Sequence, residues 1–387
     1  MFRVSKIMRG IARWTPEQQT RIRERAAALA EAICRIPAPT FAEQERGRFV
    51  AAEFARRGLA VEVDELGNVI ARRPGSGTAS TLLLAAHLDT VFTDVTAITV
   101  TRDGMLLRGP GIGDNSLGIA ALLVLAELLD ELGITTPGEL ILAANVGEEG
   151  LGNLRGIRGL VDRFADQLGG VIAVEGHNFG RVTHVAVGSR RYRVIVQTPG
   201  GHSWGAFGAP SAIHVLARII VDLTAIAVPH QPKTTYNVGL IEGGVSVNTI
   251  APRASAVVDL RSVDPHELTK LATRFEDLAL RQATDRVQVK LELLGERPAG
   301  QTSPETPLVR TAIAVLRELG REPILDASST DANIPIARGI PAICIGITTG
   351  QGSHTLEEQI DLEPVPLGIQ QLVELVRRFP VSSGLQD

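Results

Sequence analysis

Four short runs, TLLLAAH (81–87), ELILAAN (139–145), GVIAVEG (170–176) and PAICIGI (341–347), are apolar on both faces. A strand of that kind is stable only with both faces covered. Stretches of helical periodicity separate the runs, at 116–132 and 153–167, at 305–319 with a short helix near 331–338, and finally at 365–379. Both-face apolar strands alternating with helices specify βαβ units, hence an α/β domain with a mostly parallel sheet flanked by helices. An opening helix is signalled by Thr15-Pro16-Glu17-Gln18, which offers an N-cap, a proline in the first turn and a capping-box glutamine.

Between these runs the pattern changes. From about Arg190 the order reads strand, helix, strand, strand, helix, strand, the βαββαβ of a ferredoxin-like module. A chain of 387 residues exceeds what one hydrophobic core ordinarily serves. The expectation is therefore an inserted domain, 189–297, within a discontinuous α/β domain, 1–188 and 298–387.

Composition narrows the partners. A formal charge of -4 and a pI near 6.1 disfavour nucleic acid and anionic membrane, since a mildly acidic surface gains little from either. Cys34 and Cys344 sit in apolar contexts and read as buried thiols, not as a disulfide framework. The start MFRVSKIMRGIARW is basic but lacks the apolar stretch and cleavage site of a secretory signal. The longest apolar run, IAALLVLAELL, is short for a bilayer and reads as a buried helix. The expected location is cytoplasmic and the expected substrate small.

In an open α/β sheet, ligands bind beyond the carboxyl ends of the strands. There the first run delivers His87 and Asp89, the second Glu148 and Glu149, the third Glu175, and the fourth leads to His354. The glycine-rich loop RGPGIGDNSLG carries Asp114 to a helix start. Each has a bland reading alone: an aspartate before a helix is a cap, paired glutamates in a turn are solvated, a lone histidine is structural. Together they crowd several carboxylates onto one rim, where they repel unless protons or cations neutralise them. Two divalent ions solve this. Histidines mixed with carboxylates favour zinc, with manganese or cobalt as alternatives, over magnesium or calcium. Of the adjacent glutamates, Glu149 is the expected ligand and Glu148 the base that takes a proton from an activated water.

The motifs AAHLDTV, GPGIGDNSLG, GEEG, VEG and GSHTLEE, in this order with an insertion between the last two, resemble the dinuclear metallohydrolases that include glutamate carboxypeptidase, acetylornithine deacetylase, succinyl-diaminopimelate desuccinylase, aminoacylase and peptidase T. The resemblance spans about residues 18 to 379. It implies that His87, Asp114 and Glu175 hold one metal and Asp114, Glu149 and His354 the other, with Asp114 bridging and Asp89 supporting His87. It further implies that His202 stabilises an oxyanion, often in the partner subunit's site, that Asn248 and Arg261 bind substrate, the arginine gripping a carboxylate, and that SSTDANIPIARGIP lines the cleft. The resemblance also implies that the inserted domain, 189–297, is a lid through which the chain homodimerises, that the discontinuous domain is catalytic, and that the substrate is a small peptide or N-acyl amino acid. The chain departs from the family at Ser116, where many members have lysine, and at Ser328, a common glycine. DNSLG and SSTDAN lean towards the peptidase T side.

Three rival readings share parts of these motifs. GHSWG (201–205) satisfies G-x-S-x-G, with Ser203, Asp331 and His354 in triad order, but Pro199-Gly200-Gly201 and WGAFGAP break the strand-to-helix elbow that motif needs. Gly111 and Gly113 begin a dinucleotide motif whose third glycine is replaced by Ser116. A non-catalytic binding protein on the same fold would have no need of the base Glu148.

Overall fold

The computed structural model describes residue 11 and residues 13–379, so most of the basic start lies outside the described residues. The chain divides into one unit holding residues up to His184 and from Gln301 onwards, and a second, Val185–Gly300. Both joints fall a few residues from the sequence expectation.

In the first unit the four apolar runs are adjacent strands, in the order Gly138–Asn145, Ala79–His87, Leu168–Glu175, Ala342–Gly346. All three pairings between them are parallel. The antiparallel strands Val69–Arg73 and Ala60–Val63 extend one edge and Arg181–Ala186 the other. Register aligns the strand ends: His87 lies opposite Asn145, and Gly346 opposite Glu175. One rim thus collects the carboxyl ends of four strands.

The opening helix, Pro16–Cys34, begins at Thr15 with the capping box in place. The helix Gly118–Glu131 is apolar on nearly every face and long enough, with the turn before it, to cross a membrane, but it is buried within the unit. Two elements had no clear signature in the sequence: the helix Gln44–Arg56 and the hairpin Ala60–Val63 with Val69–Arg73. The first has arginines and glutamates interrupting its apolar face, and the second is too short to show alternation.

The second unit is a four-stranded antiparallel sheet in the order Thr234–Gly243, Arg253–Ser262, Gly188–Gln197, Gln288–Arg297. With helices Ala212–Thr224 and Pro265–Leu280 this is the ferredoxin-like connectivity. Alternation decides its faces: Tyr192, Val194 and Val196 pack with Ala254, Ala256, Val258 and Leu260 beneath the helices. Arg191, Arg193, Asp259 and Arg261 take the alternate positions of the same strands.

Candidate metal centre

The strand ending at His87 delivers its imidazole fully buried. Its Nδ1 lies 3.0 Å from the Asp89 carbonyl oxygen, so that nitrogen donates and Nε2 is turned to the rim. Nε2 lies 3.1 Å from Asp114 Oδ1 and 3.6 Å from Glu175 Oε2. On the other side, His354 Nε2 lies 3.3 Å from Asp114 Oδ2 and 3.1 Å from Glu149 Oε1. Asp114 therefore offers one oxygen to each histidine. Two ligand groups result, His87–Asp114–Glu175 and Asp114–Glu149–His354, each with donor atoms within 4.8 Å of one another. Glu148 forms a third group with His87 and Glu149. The donor set, two imidazoles with three carboxylates and one carboxylate shared, fits a pair of transition-metal ions.

Local backbone places these groups. Asp114 sits in the turn Ile112–Leu117 with non-helical dihedrals, and the peptide to Asn115 is cis. His354 has φ of 65°, the left-handed region that a side chain rarely adopts without support from its surroundings. Gly147, at φ 66°, turns the chain into the glutamate pair. Asp89, wholly buried, accepts the backbone N–H of Glu148 on Oδ1 and of Glu149 on Oδ2, each at 2.9 Å, and the Thr40 hydroxyl at 2.9 Å. It joins the histidine segment to the glutamate turn.

The electrostatics show what the rim demands. His354 is pushed up to about 10 by hydrogen bonding to Asp114 and Glu149. Burial works against charging His87, yet Glu175, Asp114 and Asp89 together carry it well above the usual imidazole range. Burial raises Glu175 to about 7. Burial also opposes ionisation of Asp114, but His354 and His87 win and hold its carboxyl far below the ordinary value. Without metal, protons on the two histidines supply the positive charge that cations would otherwise bring.

His202, Asn248 and Arg261 lie in the second unit. His202 belongs to the short strand Gly201–His202, paired with Thr249–Ile250, which brings it beside Asn248. The backbone N–H groups of Trp204 and Gly205 donate to His202 Nδ1 at 3.2 and 3.3 Å, leaving Nε2 as an exposed donor. Arg261 is at the far end of the strand Arg253–Ser262, and its Nε donates to Asp259 at 2.6 Å. Asp259 also accepts from Arg191, a charged neighbour that the sequence motif did not single out. Ser203 follows a two-residue strand, and turns separate it from the helix starting at Ala212, so no nucleophile elbow forms. Asp331 is buried and accepts from Asn145 at 2.8 Å. The segment holding Ser328 and Thr330 lines a pocket of about 230 Å³ with Glu175, Arg181 and Asp326.

Residues 83–378 match the model of peptidase family M20/M25/M40. The chain belongs to this family. Among its relatives are succinyl-diaminopimelate desuccinylase of Corynebacterium glutamicum, 26% identical over 87% of this chain and 92% of that protein, and carboxypeptidase G2 of Pseudomonas, 25% identical over 85% and 82%. A tripeptidase structure from Staphylococcus aureus superposes with a TM-score of 0.79 at 21% identity, covering 92% of this chain and 98% of that one. Family membership and the two ligand groups support a metal-dependent hydrolase; nothing supports the serine-hydrolase alternative.

Proposed function

We propose that this M20 chain hydrolyses an amide bond in a small substrate bearing a free carboxylate, a di- or tripeptide or an N-acyl amino acid. The observation that carries the reading is Asp114, whose two carboxylate oxygens face His87 and His354. When bound, two divalent cations, zinc in first place and manganese or cobalt as alternatives, supply the Lewis acidity that polarises a carbonyl and brings a water's pKa towards neutrality. Glu148, its backbone fixed by Asp89, takes the water's proton and returns it to the departing nitrogen. His202, with Nε2 free to donate, meets the developing oxyanion. Arg261 offers its remaining guanidinium N–H groups to the substrate carboxylate, oriented by Asp259.

A homodimer belongs to the same reading. From Arg253 to Arg261 is eight steps along one strand, roughly 26 Å at about 3.3 Å per residue. The His202 strand, paired with Thr249–Ile250, adjoins the Arg253 end, so within one copy His202 and Arg261 are too far apart to hold the same small substrate. Two copies would complete each site, Arg261 coming from one and His202 from the other.

The test is turnover of dipeptides, tripeptides and N-acetyl or N-succinyl amino acids with zinc, manganese or cobalt added. Chelation should abolish activity. Glu148→Gln should keep the metal and lose about 10²- to 10⁴-fold in kcat. Turnover by chelated protein, or undiminished kcat in the metal-replete variant, overturns the reading.

A further inference from the structure

Glu358 is completely buried and is not among the proposed metal ligands. Its Oε2 accepts the backbone N–H of Gly111 at 2.6 Å. Its Oε1 accepts those of Gly113 at 3.1 Å and Asp114 at 2.8 Å, and faces His177 Nε2 at 2.6 Å. Three donors on one short loop make Glu358 the anchor of the backbone that carries Asp114. His177 follows Glu175 by two residues, and Glu358 follows His354 by four. One carboxylate thus links the segments bearing Asp114, Glu175 and His354.

Packing at the same place points independently to close registration. A Cβ on Gly113 would lie 2.2 Å from His177 Nε2, and one on Gly350 2.5 Å from the His177 ring. A Cβ on Gly176 would lie 2.1 Å from the Gly113 carbonyl oxygen. Contacts that short exclude any side chain, so the three segments meet through glycine backbone and the His177 ring. A shift in one must move the others.

We infer that Glu358, clasped by His177, is a positioning residue that sets the spacing of Asp114 against Glu175 and His354, and so the affinity and geometry of the metal pair. The inference rests on the metal-centre reading above. Glutamine at 358 is isosteric but replaces an acceptor oxygen by an N–H₂, which confronts either the Gly111 N–H or the donors at the other oxygen. The Asp114 loop is then released on one side without a cavity.

The experiment compares wild type, Glu358→Gln and His177→Asn. Zinc is titrated against a competing chelator, the cobalt(II)-loaded proteins are examined by visible absorption, and folding is checked by far-UV circular dichroism. Wild type should bind two ions. Folded Glu358→Gln should bind zinc about 10- to 100-fold more weakly and show an altered cobalt spectrum, with kcat falling more than KM changes. His177→Asn should move both readouts in the same direction by a smaller factor. A purely architectural role lowers thermal stability alone, so wild-type zinc affinity and cobalt spectrum in folded Glu358→Gln overturn the inference. If Glu358→Gln does not fold, His177→Asn decides, and unchanged affinity and spectrum there overturn it equally. Failure of wild type to bind metal would instead remove the metallohydrolase reading, and this inference with it.

Discussion

Replacing Asp89 by asparagine separates what its charge does from what its shape does. The side chain has no solvent exposure and accepts three hydrogen bonds, the Glu148 N–H on one oxygen and the Glu149 N–H and Thr40 hydroxyl on the other. Asparagine keeps a single acceptor oxygen. Placed to serve Glu149 and Thr40, it turns its N–H₂ against the Glu148 N–H, orphaning a buried donor at about 1–3 kcal/mol, and the bonds that remain lose their charge assistance at about 1 kcal/mol. Relief of repulsion in a rim rich in carboxylates acts in the opposite sense. The Asp89 carboxyl decides between them: burial opposes its ionisation, yet His87 and the Glu149 and Glu148 N–H groups hold it below the usual carboxylate range, so the ionised form is favoured by the fold. A net loss of roughly 2–4 kcal/mol follows, or about 3–7 °C in the thermal midpoint of the metal-free protein. Asp89→Ala, which orphans both N–H groups, should cost more. Scanning calorimetry provides the measurement, and a midpoint for Asp89→Asn within about 1 °C of wild type would refute the reasoning.

Three further outcomes are expected. The His354 imidazole, raised from 6.5 to about 10 in the metal-free chain, contributes stability that is fully present below the unfolded value and lost as pH rises through the folded one. The thermal midpoint of metal-free protein should therefore fall between about pH 6.5 and 10 while zinc affinity rises over the same window; parallel trends would contradict the assignment. Arg261→Ala should raise KM for carboxylate-bearing substrates by about 10-fold or more with kcat less affected, and an unchanged KM would remove the clamp. Mixing His202→Ala with Arg261→Ala after subunit exchange should restore about a quarter of wild-type activity, since one site in each mixed dimer receives both residues intact; no recovery above either variant alone would count against shared sites.

Much of the catalytic unit was legible because its cues are local. Runs apolar on both faces need no partner information to be recognised as covered strands, and the carboxyl ends of such strands are where ligands gather. His87, Asp114, Glu149, Glu175 and His354 could be named on that basis, and the structure brings their donor atoms together. The Thr15 capping box is equally local. Elements without a strong period, such as the helix Gln44–Arg56, left no comparable trace.

What the sequence could not reveal are contacts between residues far apart in the chain. Nothing in VEGHNFG or HTLEE tells that His177 and Glu358, separated by 181 positions, will meet beneath the Asp114 loop. Nor does the motif around Arg261 disclose that Asp259 holds its guanidinium and that of Arg191. By itself, then, the sequence determined the kind of fold, the family and the roster of acids and imidazoles on the rim, because burial pattern and residue type are written along the chain. Only the tertiary structure decided which oxygen of Asp114 faces which histidine and which buried carboxylate holds the loop in place. Those relations depend on strand register and on glycines close enough to touch, quantities that no single segment encodes.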